Sequence, residues 1–503
     1  MFWRGAFVEL LRRKSLLMRK CLASLFFLLM MAPVAFSGPT QAPPVDSSQL
    51  MAWLAGGVSS NRLSRLIKDR GINFKLDRGY TKALRSAGAN PAVIQVLRDS
   101  TATLAAGMQV SCPPALAKAA ELAHQKRYEE AEHQLRELLR SDYKNAPLHF
   151  ALADMLRQQE QWDEAFDEFT ESARLMPDFP ETHSRLAYLF YRSEESDNVI
   201  AEARTALSMD PRNAEAYRYL GLGLFANGLY DAALHAFEES LGQEPENPDT
   251  YYDIGITLRD KGDLHAAAVA YRHALRLNPQ FWEAHSNLGI VLHDQGKPEE
   301  AIAEYREAKR LAPDEASIRN NLGNTFCDTG AFDDAITELR ELYRMNPGWE
   351  KGHGCLAKAF MAKHDYQSAI GELRLAIGLN PAGSVEHRVL GQALLLVGKN
   401  EDAAKELRVA VSLNPDSALA HHYLGTALFD LHQFPSAEKE FRETLRLEPT
   451  ANNHYDLAAC LVSLNRYDEA LSELEVASHL DPGQNLYRAR KDELMKLMKA
   501  NSR

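Results

Sequence analysis

Cysteine is scarce in this sequence, and none of it is arranged for chemistry. Five occur in 503 residues, at Cys21, Cys112, Cys327, Cys355 and Cys460, with no C-x-x-C pair and no histidine at metal-ligand spacing. A zinc site of the finger or ribbon type is thereby excluded, and no metal is expected. Spacing nominates no pairing among the four cysteines beyond Cys21, so free thiols are the expectation. Long apolar runs are also lacking. The longest, from Cys21 to Phe36, has 16 residues and contains Pro33, short of the ~20 that a spanning helix needs. A dinucleotide fingerprint is absent too, because Gly221-Leu222-Gly223 falls in a helical pattern with no strand before it. No nucleophile, base or paired-carboxylate constellation is legible, so the chain reads as non-enzymatic and without a cofactor.

Positive charge is missing from most of the chain and crowded into its beginning. The net charge is −12, yet residues 1–37 carry +5 and residues 38–99 another +5, which leaves −22 for the remainder. Nucleic acid is an improbable partner for so acidic a surface, since phosphate binding depends on Lys and Arg. At the N-terminus, Arg12, Arg13, Lys14, Arg19 and Lys20 precede the apolar run, and Ala35-Phe36-Ser37 closes it. That order is expected of a secretory signal peptide over 1–37, cleaved after Ser37, with export to the periplasm or the cell exterior. Membrane contact is expected only through an uncleaved signal anchor or through the basic segment that follows.

What is abundant is repetition. Prolines stand at 177, 211, 245, 279, 313, 347, 381, 415 and 449, each 34 residues after the last, and Pro482 follows at 33. Within residues 248–281, Tyr251, Ile254, Gly255 and Leu258 fall on one helical face. The run Asp260-Lys261-Gly262-Asp263 makes a turn, and Ala267, Tyr271 and Ala274 lie along a second helix that Pro279 ends. Gly255 and Ala267 are expected to let the two helices approach closely. A hairpin of this kind cannot bury its apolar face alone and must stack on its neighbours.

The unit resembles the tetratricopeptide repeat, whose pattern is matched by Tyr217, Leu220-Gly221, Leu224, Ala233, Phe237, Ser240 and Pro245. It recurs at His285, Leu288-Gly289, Leu292, Ala301, Tyr305, Ala308 and Pro313. The resemblance covers residues 112–484. It departs in the third unit, with Val199 and Ala203, and in the first, with Tyr143 for the proline. It implies an all-α fold, a right-handed α-solenoid of about eleven helical hairpins whose first helices line a concave groove. The groove positions so implied are Tyr188, Tyr191, Arg192, Arg218, Phe225, Tyr252, Arg259, Asn320, Asn324, Lys351, Lys358, Arg388, Phe429 and Tyr455. Arg218 and Arg259 are expected to anchor a partner while contributing little to stability. Asn320 stands where the family's carboxylate clamp needs its first lysine, so that clamp is not expected.

Histidine recurs at one repeat position, at His149, His183, His285, His353, His387, His421 and His454. It reads as packing, without a carboxylate partner at a fixed offset. Ahead of the repeats, a linker over 38–46 leads to a basic module over 47–99. Helices are expected there at 48–54, 60–68 and 77–86, and a fourth opens at Asn90-Pro91. The segment resembles a small helical module found before repeat arrays in exported bacterial proteins. Its +6 charge is explained by docking on the acidic array or by contact with an anionic envelope component. A second linker covers 100–111. Residues 485–503, with Leu486, Leu494, Leu497 and Met498 on an apolar face, are expected to cap the last repeat. The expected function is that of a scaffold binding proteins or peptides. An accessory subunit of an envelope enzyme or of a secretion or assembly complex is the alternative.

Overall fold

The computed structural model describes residues 43–101 and 109–501. The expected signal peptide, its cleavage site and Cys21 lie outside the described residues. There are 27 helices and no strand among those residues, with one isolated parallel bridge between Val45 and Ile72. Two compact units divide at Leu189 and Phe190.

In the first unit, helices Ser47–Ala55, Ser60–Arg70, Arg78–Ser86 and Pro91–Thr101 form the basic module. Asp46, Ser59 and Asp77 each accept a hydrogen bond from the backbone N–H three residues on, and Asn90 does so from Val93. Such caps satisfy donors that the first helical turn leaves free. The module packs on the hairpins that follow it. Trp53, wholly buried, stacks on Phe179 at 4.7 Å between ring centroids. A Cβ on Gly56 would meet the Phe150 ring at 2.6 Å. Arg62 pairs with Glu181, both nearly buried, so docking on the array does account for part of the basic charge.

Eleven helical pairs follow in sequence, from Pro114–His124 with Tyr128–Ser141 to Ala451–Ser463 with Tyr467–Leu480. The fifth shows how the sequence draws one. Asn247 caps helix Pro248–Lys261 by accepting from Thr250 N–H, and Gly262 ends it at φ +94°. Asp263 then caps Leu264–Leu277, which stops before Pro279. The turn position is left-handed in every pair, whatever the residue. Gly228, Gly262, Gly296, Gly330 and Gly398 fill it in five pairs; Lys126, Glu160, Glu194, His364, His432 and Asn465 adopt φ between 57° and 60° in the others. Each of those six costs roughly 1 kcal/mol of backbone strain, so hairpin packing and not local preference sets the turn.

Close approach within a pair differs from the expectation in one respect. The Tyr271 ring lies on Gly255, where a Cβ would come within 2.5 Å of it. The glycine therefore makes room for a ring from the second helix, not for the backbone at Ala267. Phe237 on Gly221, Tyr305 on Gly289 and Phe441 on Gly425 repeat the arrangement.

From Ala267 onward the apolar interior of the second unit forms two clusters. One ends with Phe360 and Ala369 and the other begins with Ala357 and Ile370, so they meet at the eighth hairpin. Helix Asn485–Asn501 closes the series with Leu494 buried and Met498 packed on the second cluster. Leu486 and Leu497, expected on the same covered face, are 45% and 43% exposed. Tyr487 is buried instead, its hydroxyl bonded to Asn452.

Candidate functional site

The expected groove positions separate into residues that tie repeats together and residues that remain open. In the fourth and fifth hairpins Arg218 Nε donates to Asp253 Oδ2 at 2.6 Å, and Asp253 is only 6% exposed. Burial opposes the Arg218 charge, but Asp253 more than offsets it and keeps the guanidinium charged. Burial also pushes the Asp253 carboxyl up to about 6, against the pull of Arg218. Arg259 donates to Asn287 at 2.9 Å and to Asp260. Tyr252 accepts from Asn287 Nδ2 at 2.8 Å and packs against Phe281. Its phenol is pushed up to about 12, first by burial and then by Glu283 and Asp253.

These side chains link successive first helices, so Arg218 is not available as a free anchor. The bond to buried Asp253 argues against the expectation that Arg218→Ala with Arg259→Ala leaves the melt nearly unchanged, because Asp253 would be stranded in the interior. Sequence inspection missed Asp253 because it lies one position past a groove-facing tyrosine and resembles an exposed helix carboxylate. Its register with Arg218, 35 residues earlier, was the available signal.

Other expected positions are also occupied by neighbours. Tyr188 receives Arg157 over its ring at 5.4 Å, and Phe225 lies 5.9 Å from Tyr230. Phe429 meets Phe434 edge-on at 5.4 Å, and Tyr455 lies 5.6 Å from Tyr487 of the last helix. Asn320 is buried with no partner for Oδ1, while Asn324 is half-buried. Tyr191, Arg192 and Lys351 are exposed.

Lys358 and Arg388 do come together. They line a cavity of about 720 Å³ between the first helices His353–Ala362 and Ser384–Leu396, with Met361, Leu373, Val385, Val389 and Leu396 as its apolar surface. Val385 and Leu396 are 56% and 51% exposed. Lys358 is 3.5 Å from Asp328, both well exposed; Glu386 is the one carboxylate on the cavity wall. The neighbouring wall is tied down covalently. Cys327 and Cys355 form a disulfide between the first helices Ala316–Asp328 and His353–Ala362. This corrects the expectation of free thiols: 28 residues of chain separate the two cysteines, but stacking brings their Cα atoms to 6.0 Å. Cys112 and Cys460 are free.

The sequence matches the family described as Tetratricopeptide repeat over residues 116–178, 184–248, 252–316, 355–418 and 422–485. The chain belongs to the tetratricopeptide-repeat family. Among curated proteins no relative matches. Similar solved structures include MamA (residues 41 to the end) from Desulfovibrio magneticus RS-1, 20% identical, covering 33% of this chain and 95% of its own, with a TM-score of 0.32. YrrB, described as having an unusual peptide-binding site, is 23% identical over 39% of this chain and 97% of its own, at a TM-score of 0.32. A tetratricopeptide-repeat protein from Parabacteroides merdae ATCC 43184 is 18% identical over 49% of this chain and 98% of its own, at 0.35.

The tetratricopeptide array carries a second periodic system on its hairpins. In at least six of them a first-helix histidine bonds through Nδ1 to a glutamate 19 residues later on the second helix: His149–Glu168, His285–Glu304, His353–Glu372, His387–Glu406, His421–Glu440 and His454–Glu473, at 2.5–2.8 Å. In the seventh hairpin Arg319 takes that place and pairs with Glu338 at 3.0 Å. The expectation that this column has no carboxylate partner at a fixed offset is therefore wrong, while the bonds tie the two helices of a hairpin and so give the histidines a structural role. The partner lies five turns away along the sequence and becomes adjacent only when the hairpin closes.

At His149 and His285 burial alone would lower the pKa. Bonds from the ring to Glu168 and the Tyr143 carbonyl, or to Glu304 and the Pro279 carbonyl, outweigh it, with smaller help from Glu171 and Glu307, and both pKa values are raised. In the window between the unfolded value of about 6.5 and the raised folded value, the folded array holds protons that the unfolded chain has released. Stability from these pairs is thus complete below about pH 6.5 and is lost as pH rises through the folded value. Denaturant midpoints should fall across that window, and His149→Gln with His285→Gln should flatten the fall. An unchanged slope in the double variant would show that the pairs contribute nothing.

Proposed function

We propose that the array is a non-catalytic scaffold that holds an acidic segment of a partner protein, with an apolar side chain seated in the cavity between the eighth and ninth first helices. The observation that carries this reading is the cavity with Lys358 and Arg388 beside Met361, Val385, Val389 and Leu396. Apolar burial supplies most of the affinity of such sites, and convergent charges set specificity. Arginine is also among the residues that dominate interface energy. The array, at net charge −22, repels acidic segments elsewhere, so two cations together make this cavity the place where an acidic segment can be held. A photo-crosslinking residue in place of Val385 should capture a discrete partner in intact cells, and the charge reversal Lys358→Glu with Arg388→Glu should abolish the product. Equal capture from a crosslinker at Leu277, which is exposed on a second helix, would count against the cavity.

Export to the periplasm or the cell exterior belongs to the same proposal. It rests on the basic and apolar order of residues 1–37 and is supported by the Cys327–Cys355 bond, since such bonds persist in oxidising compartments. Mature protein should begin near Gly38 by N-terminal mass spectrometry. An intact Met1 or Met18 on a cytoplasmic product would refute it.

A further inference from the structure

Docking leaves part of the module's charge unexplained. Arg62 and Arg70 are directed at Glu181 and its surroundings, but Arg78, Lys82, Arg85 and Arg98 converge elsewhere. They line an open cleft of about 480 Å³ together with Leu76, Asp77, Thr81 and Thr101. All four cations are exposed. Three of them occupy helix Arg78–Ser86 at i, i+4 and i+7, with no acidic residue in its first turn. Like charges one turn apart oppose each other, and cations near a helix N-terminus oppose the helix dipole. Arg78 at the first helical position carries both costs and Lys82 the first, while Arg85 in the last turn complements the dipole; against the four cations the cleft sets a single carboxylate, Asp77, whose Oδ1 caps Tyr80 N–H.

The polar neighbours define the ligand further. Thr81 donates its hydroxyl to the Asp77 carbonyl and Thr101 donates to the Leu97 carbonyl. With both hydroxyls engaged, the side-chain donors that the cleft offers are the guanidinium and ammonium groups. A ligand there needs several acceptor oxygens and at least two negative charges, which suits the fork of an arginine.

We propose that this cleft binds a phosphate-bearing ligand through its phosphate oxygens, independently of the groove. The ligand is either a soluble phosphate ester or the headgroup phosphate of an anionic lipid surface. Titration calorimetry of the full chain with inorganic pyrophosphate at low salt should give saturable binding. Arg85→Ala with Arg98→Ala should weaken it by at least about tenfold, while Arg374→Ala with Arg408→Ala, which removes equal charge from exposed second-helix positions, should not. If the first variant loses helical signal, Lys82→Gln with Arg98→Gln carries the same comparison. Co-sedimentation with phosphatidylcholine vesicles containing phosphatidylglycerol, against phosphatidylcholine alone, separates the sources. Binding to pyrophosphate only assigns a soluble ester, and binding to the anionic vesicles assigns a headgroup. The proposal is overturned if neither probe binds, if both double variants behave alike, or if citrate binds as tightly as pyrophosphate.

Discussion

Arg218→Ala is expected to destabilise the fourth and fifth hairpins by about 3–5 kcal/mol, because it strands Asp253. The carboxylate is 6% exposed and takes its 2.6 Å hydrogen bond from Arg218. Removing one member of a buried pair leaves the desolvation penalty of the other uncompensated. Asp253→Asn in the same chain should restore much of the loss by removing the charge. Hydrogen exchange in helices Ala214–Ala226 and Pro248–Lys261 is the suitable readout, because repeat arrays open locally and a global midpoint dilutes the effect. Arg259→Ala should cost far less, since its partners Asp260 and Asn287 are half open to water. If Arg218→Ala leaves exchange unchanged, the pair is not a structural tie and Arg218 returns as a candidate anchor.

Reduction of Cys327–Cys355, or its replacement by paired alanines, should lower the stability of the seventh and eighth hairpins by roughly 3.5 kcal/mol on the loop-entropy argument for a 28-residue separation. The eighth first helix, His353–Ala362, has ten residues where most first helices have thirteen, and Gly352 precedes it at φ +100°. With so few helical bonds of its own, it depends on the crosslink and on Leu356 and Phe360 in the apolar cluster. Because this helix forms one wall of the cavity, reduction should also raise exchange at Lys358 and Met361. Protection there that is indifferent to reductant would show that packing alone holds the wall.

The fold was legible because the interactions that draw it are local. The 34-residue proline period, the Asn247 and Asp263 caps and the apolar spacing in each helix all act within one hairpin. The candidate site was legible only in part, because it is made by register between hairpins. Arg218 and Arg259 have the chemistry of anchors, yet Asp253 and Asn287 one repeat onward claim them. Cys327 and Cys355 looked unrelated until stacking placed them on adjacent first helices. Repeat position alone points to Lys358 and Arg388, but nothing in the sequence marks the cavity between them. That opening appears where the two apolar clusters meet. The histidine–glutamate offset of 19 recurs in the sequence, but no local helical spacing marks it, because the two residues lie on different helices and meet only when the hairpin closes.

The most direct measurement is the affinity of the purified chain for a segment of the partner crosslinked through Val385, compared between wild type and Lys358→Glu with Arg388→Glu. An anchor role predicts a loss of at least about tenfold, weaker binding as salt rises and an unchanged melt, since Lys358 and Arg388 pair with nothing buried. Equal affinity in the two proteins, with the fold intact, would contradict the assignment of this cavity as the binding site.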